Sequence, residues 1–374
     1  MEMNTQKNNI HMGFWGGLPK PFFALAPMAD VTDPAFRRLI AKHSRHGQSG
    51  GGPDVFWTEF VSANGLMSPG RKALERDLAY TEAERPIVAQ LFTSTPENMR
   101  KAAQLCAELG FDGIDINMGC PDKTIEKQGA GACMIKTPDV AVAIIRAAKE
   151  GIESSGREVP ISVKTRVGYN KVEIEEWIPT LLRENIAALT VHARTRKELS
   201  AVPADWSRIK RVVEIRDALG VSTRIIGNGD VADIADGIEK AKQTGVDGIM
   251  IGRAIFGNPW LFDRNRKILQ KGSWKTSWFA PFVPAFIARK FRGGDKRYTV
   301  SDVAMHERLN VLIEHAELFE QLLGDIKSFA IMKKHFKAYI NGFPGAKELR
   351  VELMEKGNTA AEVRKIIEEY LSAF

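Results

Sequence analysis

The hydrophobic positions of this chain fall into two alternating rhythms. Short runs rich in Val, Ile, Phe and Ala, the mark of buried strands, occur at 22–26, 55–59, 87–91, 113–117, 161–165, 188–192, 224–227 and 248–251. Between them, at 34–43, 96–109, 138–150, 173–184, 206–219 and 232–244, apolar residues recur every three or four positions, as in helices with one buried face. Several of these helices open on a cap signal: Thr95-Pro96, Thr137-Pro138 and Asp230 stand where a side-chain oxygen can hold the first free amides. Strand-then-helix units repeated over about 250 residues predict an α/β protein of the (β/α)8 TIM-barrel kind. An open doubly wound sheet would need fewer strands and a G-x-G-x-x-G turn after the first, which is missing.

The polar residues agree with a barrel. Pro27-Met28 follow the first strand, Glu59 ends the second, and Gln90 lies in the third. Asn117 and Cys120 follow the fourth, Lys164 and Arg166 end the fifth, and His192 with Arg194 ends the sixth. Asn228-Gly229-Asp230 and Gly252-Arg253 follow the last two. Chemistry-bearing groups thus collect where barrel enzymes keep their active sites, at the C-terminal ends of the strands.

After residue 262 the alternation stops. Residues 271–298 are rich in Trp, Phe and basic side chains, and from 301 onward the pattern is helical, broken near 341–345 and 357–358. The expected organisation is a catalytic barrel over 1–262, a connecting insertion over 263–300 and a smaller all-helical domain over 301–374. The Gly-rich run 47–53 reads as a surface loop.

Composition narrows the class only a little. A hydrophobic share of 44% and a charged share of 26% are ordinary for a globular protein, and the net charge of +7 leans toward polyanionic partners. The three cysteines, Cys106, Cys120 and Cys133, form no C-x-x-C pair, so neither a disulfide framework nor a zinc site is expected, and a reducing cytoplasm fits. Cys106 falls on the buried face of a helical pattern. Residues 1–19 lack the apolar core of a signal peptide, and no run reaches the length of a membrane span.

The most specific stretch is Asp115-Ile116-Asn117-Met118-Gly119-Cys120-Pro121-Asp122-Lys123. It puts a thiol (a proton donor or a nucleophile), an amide and a cation on one strand-to-loop transition. The loops holding Asn228-Gly229-Asp230 and Gly252-Arg253 read as a phosphate site, with glycines for close backbone approach and a guanidinium fork. Lys164, projecting among small and apolar neighbours, suits either a Schiff base or a cofactor ring that gains negative charge. With Gln90 and His192 as further hydrogen-bonding groups, the set suggests flavin mononucleotide rather than pyridoxal phosphate.

These blocks resemble the tRNA-dihydrouridine synthase family, bacterial type. The matching residues are Ala26-Pro27-Met28-Ala29-Asp30-Val31-Thr32-Asp33, Gln90-Leu91-Phe92, 115–121, Val163-Lys164-Thr165-Arg166, 191–196, Gly227-Asn228-Gly229-Asp230 and Ile251-Gly252-Arg253-Ala254, in the family's order. The segment 333–350 is similar to the family's helical RNA-binding domain. The resemblance implies FMN held by Pro27, Met28, Ala29, Gln90, Lys164, His192, Asn228, Gly229, Asp230, Gly252 and Arg253. It implies Cys120 as catalytic acid and Asn117, Lys123, Arg166 and Arg194 as substrate contacts. The implied reaction reduces the C5=C6 bond of particular uridines in tRNA, with hydride from FMN N5 to C6, a proton from Cys120 to C5, and NADPH or NADH as reductant. A cytoplasmic monomer without metal or membrane attachment is the expected form. The long Gly-rich loop and the 271–298 segment depart from the family's pattern and bear on RNA docking, not on the chemical motifs.

Two other functions stay open at this stage. A flavin barrel acting on a free small molecule, such as a dihydroorotate dehydrogenase, would share the ring site but need no basic helical appendage. An RNA-binding protein that had lost its chemistry would not need Cys120, Lys164 and Arg253 together.

Overall fold

The structure is a computed structural model that describes residues 12–266 and 304–372. Its eight strands are β1 (Phe22–Leu25), β2 (Phe56–Ser62), β3 (Ile87–Phe92), β4 (Gly113–Met118), β5 (Ile161–Arg166), β6 (Ala188–His192), β7 (Arg224–Asn228) and β8 (Gly248–Ile251). All pair in parallel, in the order β1-β8-β7-β6-β5-β4-β3-β2. The ring closes through one bridge, Ala24 to Val55, where the Leu25 amide donates to the Val55 carbonyl at 3.1 Å. The barrel expectation holds.

The flanking helices are α1 (Pro34–His43), α2 (Pro96–Glu108), α3 (Pro138–Ser154), α4 (Ile174–Leu182), α5 (Trp206–Leu219) and α6 (Ile234–Thr244). Helices α1 and α5 have the bounds that periodicity gives them. Strand β2 runs past Glu59 because its register shifts between Trp57 and Phe60, and the irregularity lets pairing resume out to Ser62. Helix α6 starts later than expected and corrects one cap. Asp233, not Asp230, caps it, accepting the Asp236 amide at 2.8 Å. Thr95 and Thr137 do precede α2 and α3, but their side chains make no cap bond. A proline in the first turn of each helix has already removed one of the free amides.

The bottom of the barrel is plugged by the turn Gly13–Gly17. Trp15 is fully buried, with its ring 5.6 Å from Trp57 and 5.8 Å from Phe22.

Among the described residues four α-helices follow: α7 (Met305–Leu323), α8 (Lys333–Tyr339), α9 (Ala346–Lys356) and α10 (Ala360–Ser372). They share one continuous apolar core with the barrel. Helix α7 lies against α1, where Phe36 stacks on His315 at 4.8 Å and His335 stands edge-on to both rings, 5.0 Å from Phe36 and 4.4 Å from His315. Burial pushes both imidazoles down, His335 to about 3, so they sit neutral in the core. At the rim, Lys42 and His43 of α1 pair with Glu314 of α7 at 2.6 and 3.0 Å. Among the described residues no helix is long and apolar enough to cross a membrane, and no group of side chains could hold a metal ion. The aromatic and basic positions of 271–298, Arg289 and Lys290 among them, lie outside the described residues.

Candidate functional site

The C-terminal ends of β1, β5, β6, β7 and β8 surround a cavity of about 860 Å³. Ala26, Pro27, Met28 and Met250 give it an apolar wall. Lys164, Arg166, Arg194, Arg253 and His192 supply its nitrogen groups, and Asp230 is the one carboxylate among its lining residues. Four cations against one acid favour an anionic occupant.

The β7 and β8 loops form one end. Gly229 has φ of +124°, and a Cβ there would come within 2.9 Å of the His192 ring, so close approach demands glycine. Asp230, itself left-handed at φ +48°, does not cap α6 but bridges two cations: Arg194, and Arg253 at 2.7 Å. Burial pushes its carboxyl up, but the Ala204 amide and the Arg194 guanidinium outweigh this and hold it below the usual range. Asn228 donates to the Met250 carbonyl at 2.9 Å, tying β7 to β8.

Beside this end, Arg194 anchors its own loop by donating to the Val202 carbonyl at 2.7 Å, and lies 3.3 Å from His192 Nε2. A guanidinium only donates, so His192 Nε2 is the acceptor and its proton belongs on Nδ1. Burial, then the charges of Arg166 and Lys164, push this imidazole far down, so it is neutral. Lys164 makes no hydrogen bond or ion pair among the described residues; burial and the Arg166 charge lower its ammonium to about 8. Arg166 is lowered to about 10 by burial and remains a cation at neutral pH. It donates to the Gly119 carbonyl at 2.7 Å and the Thr195 carbonyl at 3.2 Å, linking the loops after β4 and β6.

The other side of the mouth is wired differently. Asp115 on β4 is fully buried and accepts from Gln90 Nε2 and Ser162 Oγ, each at 2.6 Å. Gln90 Oε1 accepts from Asn117 Nδ2 at 3.1 Å, and Asn117 Oδ1 accepts the amides of Gly119 at 3.1 Å and Cys120 at 2.9 Å. Asp115 faces Gln90 on β3 and Ser162 on β5 in register, Asn117 reaches Gln90 diagonally, and the last links lie in the turn that leaves β4. Cys120 is half-buried beside Phe60, Phe92, Ile125 and Ala130, and burial raises its thiol above the ordinary value. Its neighbour Pro121 lines the cavity.

Eleven of the sixteen residues singled out from sequence therefore line the cavity: Pro27, Met28, Lys164, Arg166, His192, Arg194, Asn228, Gly229, Asp230, Gly252 and Arg253. Gln90 and Asn117 do not, because they are buried and committed to the Asp115 chain. Ala29 is exposed beyond the turn at Met28. Lys123 is exposed at the start of a short helical turn, Lys123–Glu126. Cys120 flanks the cavity. Sequence reasoning gave Asp115 no separate role, although a carboxylate inside an apolar strand was the available signal. Leu199 and Ser200, which overhang the cavity, carried none.

An eight-stranded parallel barrel with a cation-lined mouth and a thiol on its rim defines the class. Within it, the chain belongs to the family described as Dihydrouridine synthase (Dus), whose pattern matches residues 24–374. It is 36% identical over 360 residues to the "Probable tRNA-dihydrouridine synthase" of Staphylococcus aureus (strain COL), covering 96% of this chain and 95% of that protein. It is 38% identical over 360 residues to the "Probable tRNA-dihydrouridine synthase 2" of Bacillus subtilis (strain 168), covering 96% of each. Among solved structures, histamine dehydrogenase from Rhizobium sp. 4-9 is similar over 65% of this chain and 45% of its own, with 13% identity and a TM-score of 0.45.

Proposed function

We propose that this protein is an FMN-dependent tRNA-dihydrouridine synthase that reduces the uracil C5=C6 bond in tRNA with NADPH or NADH. The observation that carries the reading is the family match from residue 24 to the end of the chain, with relatives of that name over nearly the whole length. The donor set fits the cofactor. Arg253 and the loop at Gly229 suit a phosphate, the apolar wall at Pro27 and Met28 suits a flat ring, and Lys164 offers an ammonium that pairs with nothing among the described residues. Asn228, Asp230, Gly252 and His192 complete that site, with Asp230 fixing the two arginines.

Bound flavin supplies the hydride for C6. The chain's own part is to hold charge and give a proton. The C4 carbonyl draws electrons as C6 is reduced, and cations at Lys164 and Arg166 stabilise the negative charge that develops. Cys120, kept protonated by burial, donates to C5. Asn117 serves this step by fixing the backbone of Gly119 and Cys120 through its side-chain oxygen. Arg194 and Lys123 are the remaining candidate contacts to the nucleotide. The C-terminal helices are assigned to tRNA docking, and a monomer in the cytoplasm belongs to the same reading. The target base must leave its stack to reach the mouth.

The test is reductant oxidation by the purified holoprotein with and without tRNA, with dihydrouridine counted in the recovered tRNA. Stoichiometric, tRNA-dependent turnover is expected. Turnover with a free pyrimidine and none with tRNA would favour the small-molecule alternative.

A further inference from the structure

The turn after β1 carries the apolar wall of the cavity, and its apex is held from outside the barrel. The turn is short: the Val31 and Thr32 amides donate to the Met28 carbonyl at 3.1 and 3.0 Å, and the Met28 amide donates to Thr32 Oγ1 at 2.9 Å. Its far end is fixed by the barrel's own Arg37, which donates to the Thr32 carbonyl at 2.9 Å. At the apex, Asp30 has φ of +52°, a conformation that costs a non-glycine residue about 1 kcal/mol and persists only where its surroundings impose it.

Those surroundings come largely from the C-terminal helices. The Asp30 amide donates to Glu59 Oε1 at 2.5 Å. The other oxygen of Glu59 takes the Lys327 ammonium at 2.9 Å, and Lys327 also pairs with Asp77 at 2.8 Å. Lys327 lies just past α7, its amide bonded to the Leu323 carbonyl, and all three side chains of this cluster are largely buried. A second lysine of the same helices, the exposed Lys334, reaches the Asp30 carboxylate at 3.2 Å. Among the described residues, the cation that pairs with the buried Glu59 and the half-buried Asp77 is thus Lys327, from outside the barrel, and Glu59 orients the strained apex. An ion pair serving only to glue two parts together would have no reason to engage that amide.

We propose that Lys327 is a positioning residue for the cofactor: by holding Glu59 under the Asp30 amide, it sets the Pro27–Met28 wall of the cavity once the C-terminal helices are seated. The proposal rests on the FMN reading of the cavity. It makes flavin retention depend on helices otherwise assigned to tRNA. The atoms that touch the cofactor stay those of Pro27 and Met28; Lys327 acts through Glu59 and Asp30.

The experiment measures FMN affinity of the full-length apoprotein by flavin fluorescence. Wild type that binds no FMN would sink the cofactor reading itself, before this proposal is reached. With wild type binding, Lys327→Met should weaken FMN about tenfold, the loss expected when one charged hydrogen bond no longer preorganises the wall. Lys327→Arg should restore most of the affinity. The double variant Lys327→Met/Glu59→Gln removes the stranded carboxylate, guards against simple misfolding, and should remain weak. Recovery of wild-type affinity in the double variant would mean the single loss was only an uncompensated buried charge, and would overturn the proposal. Equal FMN affinity in Lys327→Met and wild type would do the same. The exposed Lys334→Gln, which leaves no buried charge unpaired, should weaken FMN about twofold to threefold through the same apex. If Lys327→Met fails to fold, unchanged FMN affinity in Lys334→Gln counts against the proposal.

Discussion

The two sides of the barrel mouth solve opposite problems. Around β5, β7 and β8, cations outnumber acids, Lys164 makes no hydrogen bond or ion pair among the described residues, and the cavity is wide. Around β3 and β4, the buried polar chain from Asp115 through Gln90 and Asn117 ends on the Cys120 amide. The first side carries an excess of positive charge. The second is complete by itself and presents a protonated thiol. The difference teaches that ligand groups and positioning groups can be adjacent in a motif yet separate in space: Asn117 and Lys164 face each other in register, but only the lysine reaches the cavity.

The largest expected effect falls on the prewired side. Cys120→Ala should lower dihydrouridine formation by roughly 10²–10⁴, the share of a general acid, while reduction of bound flavin by NADPH is unchanged. Wild-type turnover in that variant would move the acid elsewhere. Asn117→Ala removes the acceptor for two backbone amides; at about 1 kcal/mol each, turnover should drop about 30-fold with FMN affinity intact. A loss of FMN instead would erase the distinction between the two sides. On the open side, Arg253→Ala should weaken FMN about tenfold, a value discounted for its exposure, with the effect shrinking in high salt. Salt-independent binding would argue against a phosphate there.

The smallest effect is a pH dependence. The Lys164 ammonium, lowered to about 8, is charged below that value and neutral above it. An anionic ligand favours the charged form, so apoprotein affinity for FMN should fall about threefold or more as pH rises from 7 to 9. Lys164→Met should flatten this step. A step that survives the substitution belongs to another group.

Much of this was legible in the sequence because barrel units repeat a local rule. Helix α5 begins at Trp206 and ends at Leu219 in pattern and in structure alike, since its apolar spacing and its capping Asp205 are all local. The residues after each strand were also legible, because strand ends are local and function gathers there. What was not legible is where a side chain spends its hydrogen bonds. Asp230 looked like a cap, yet two arginines drawn from other loops claim it. Gln90 looked like a ring contact, yet a carboxylate 25 positions away takes its amide. The Glu59–Lys327 pair spans 268 positions, and no periodicity carries information over that distance.

The ring cluster of Phe36, His315 and His335 limits how such a protein can be rebuilt from parts. Three aromatic faces, one from the barrel and two from the C-terminal helices, pack on one another; His315 Nδ1 meets the Tyr339 hydroxyl at 3.5 Å, and the remaining ring nitrogens of His315 and His335 have no hydrogen-bond partner among the described residues. A chimera that grafted another relative's helices onto this barrel would have to bring the matching ring for position 36, or leave a hole where the halves meet. The C-terminal helices of this architecture therefore have to drift along with their seam, one compensated exchange at a time, and cannot be traded wholesale as a cassette.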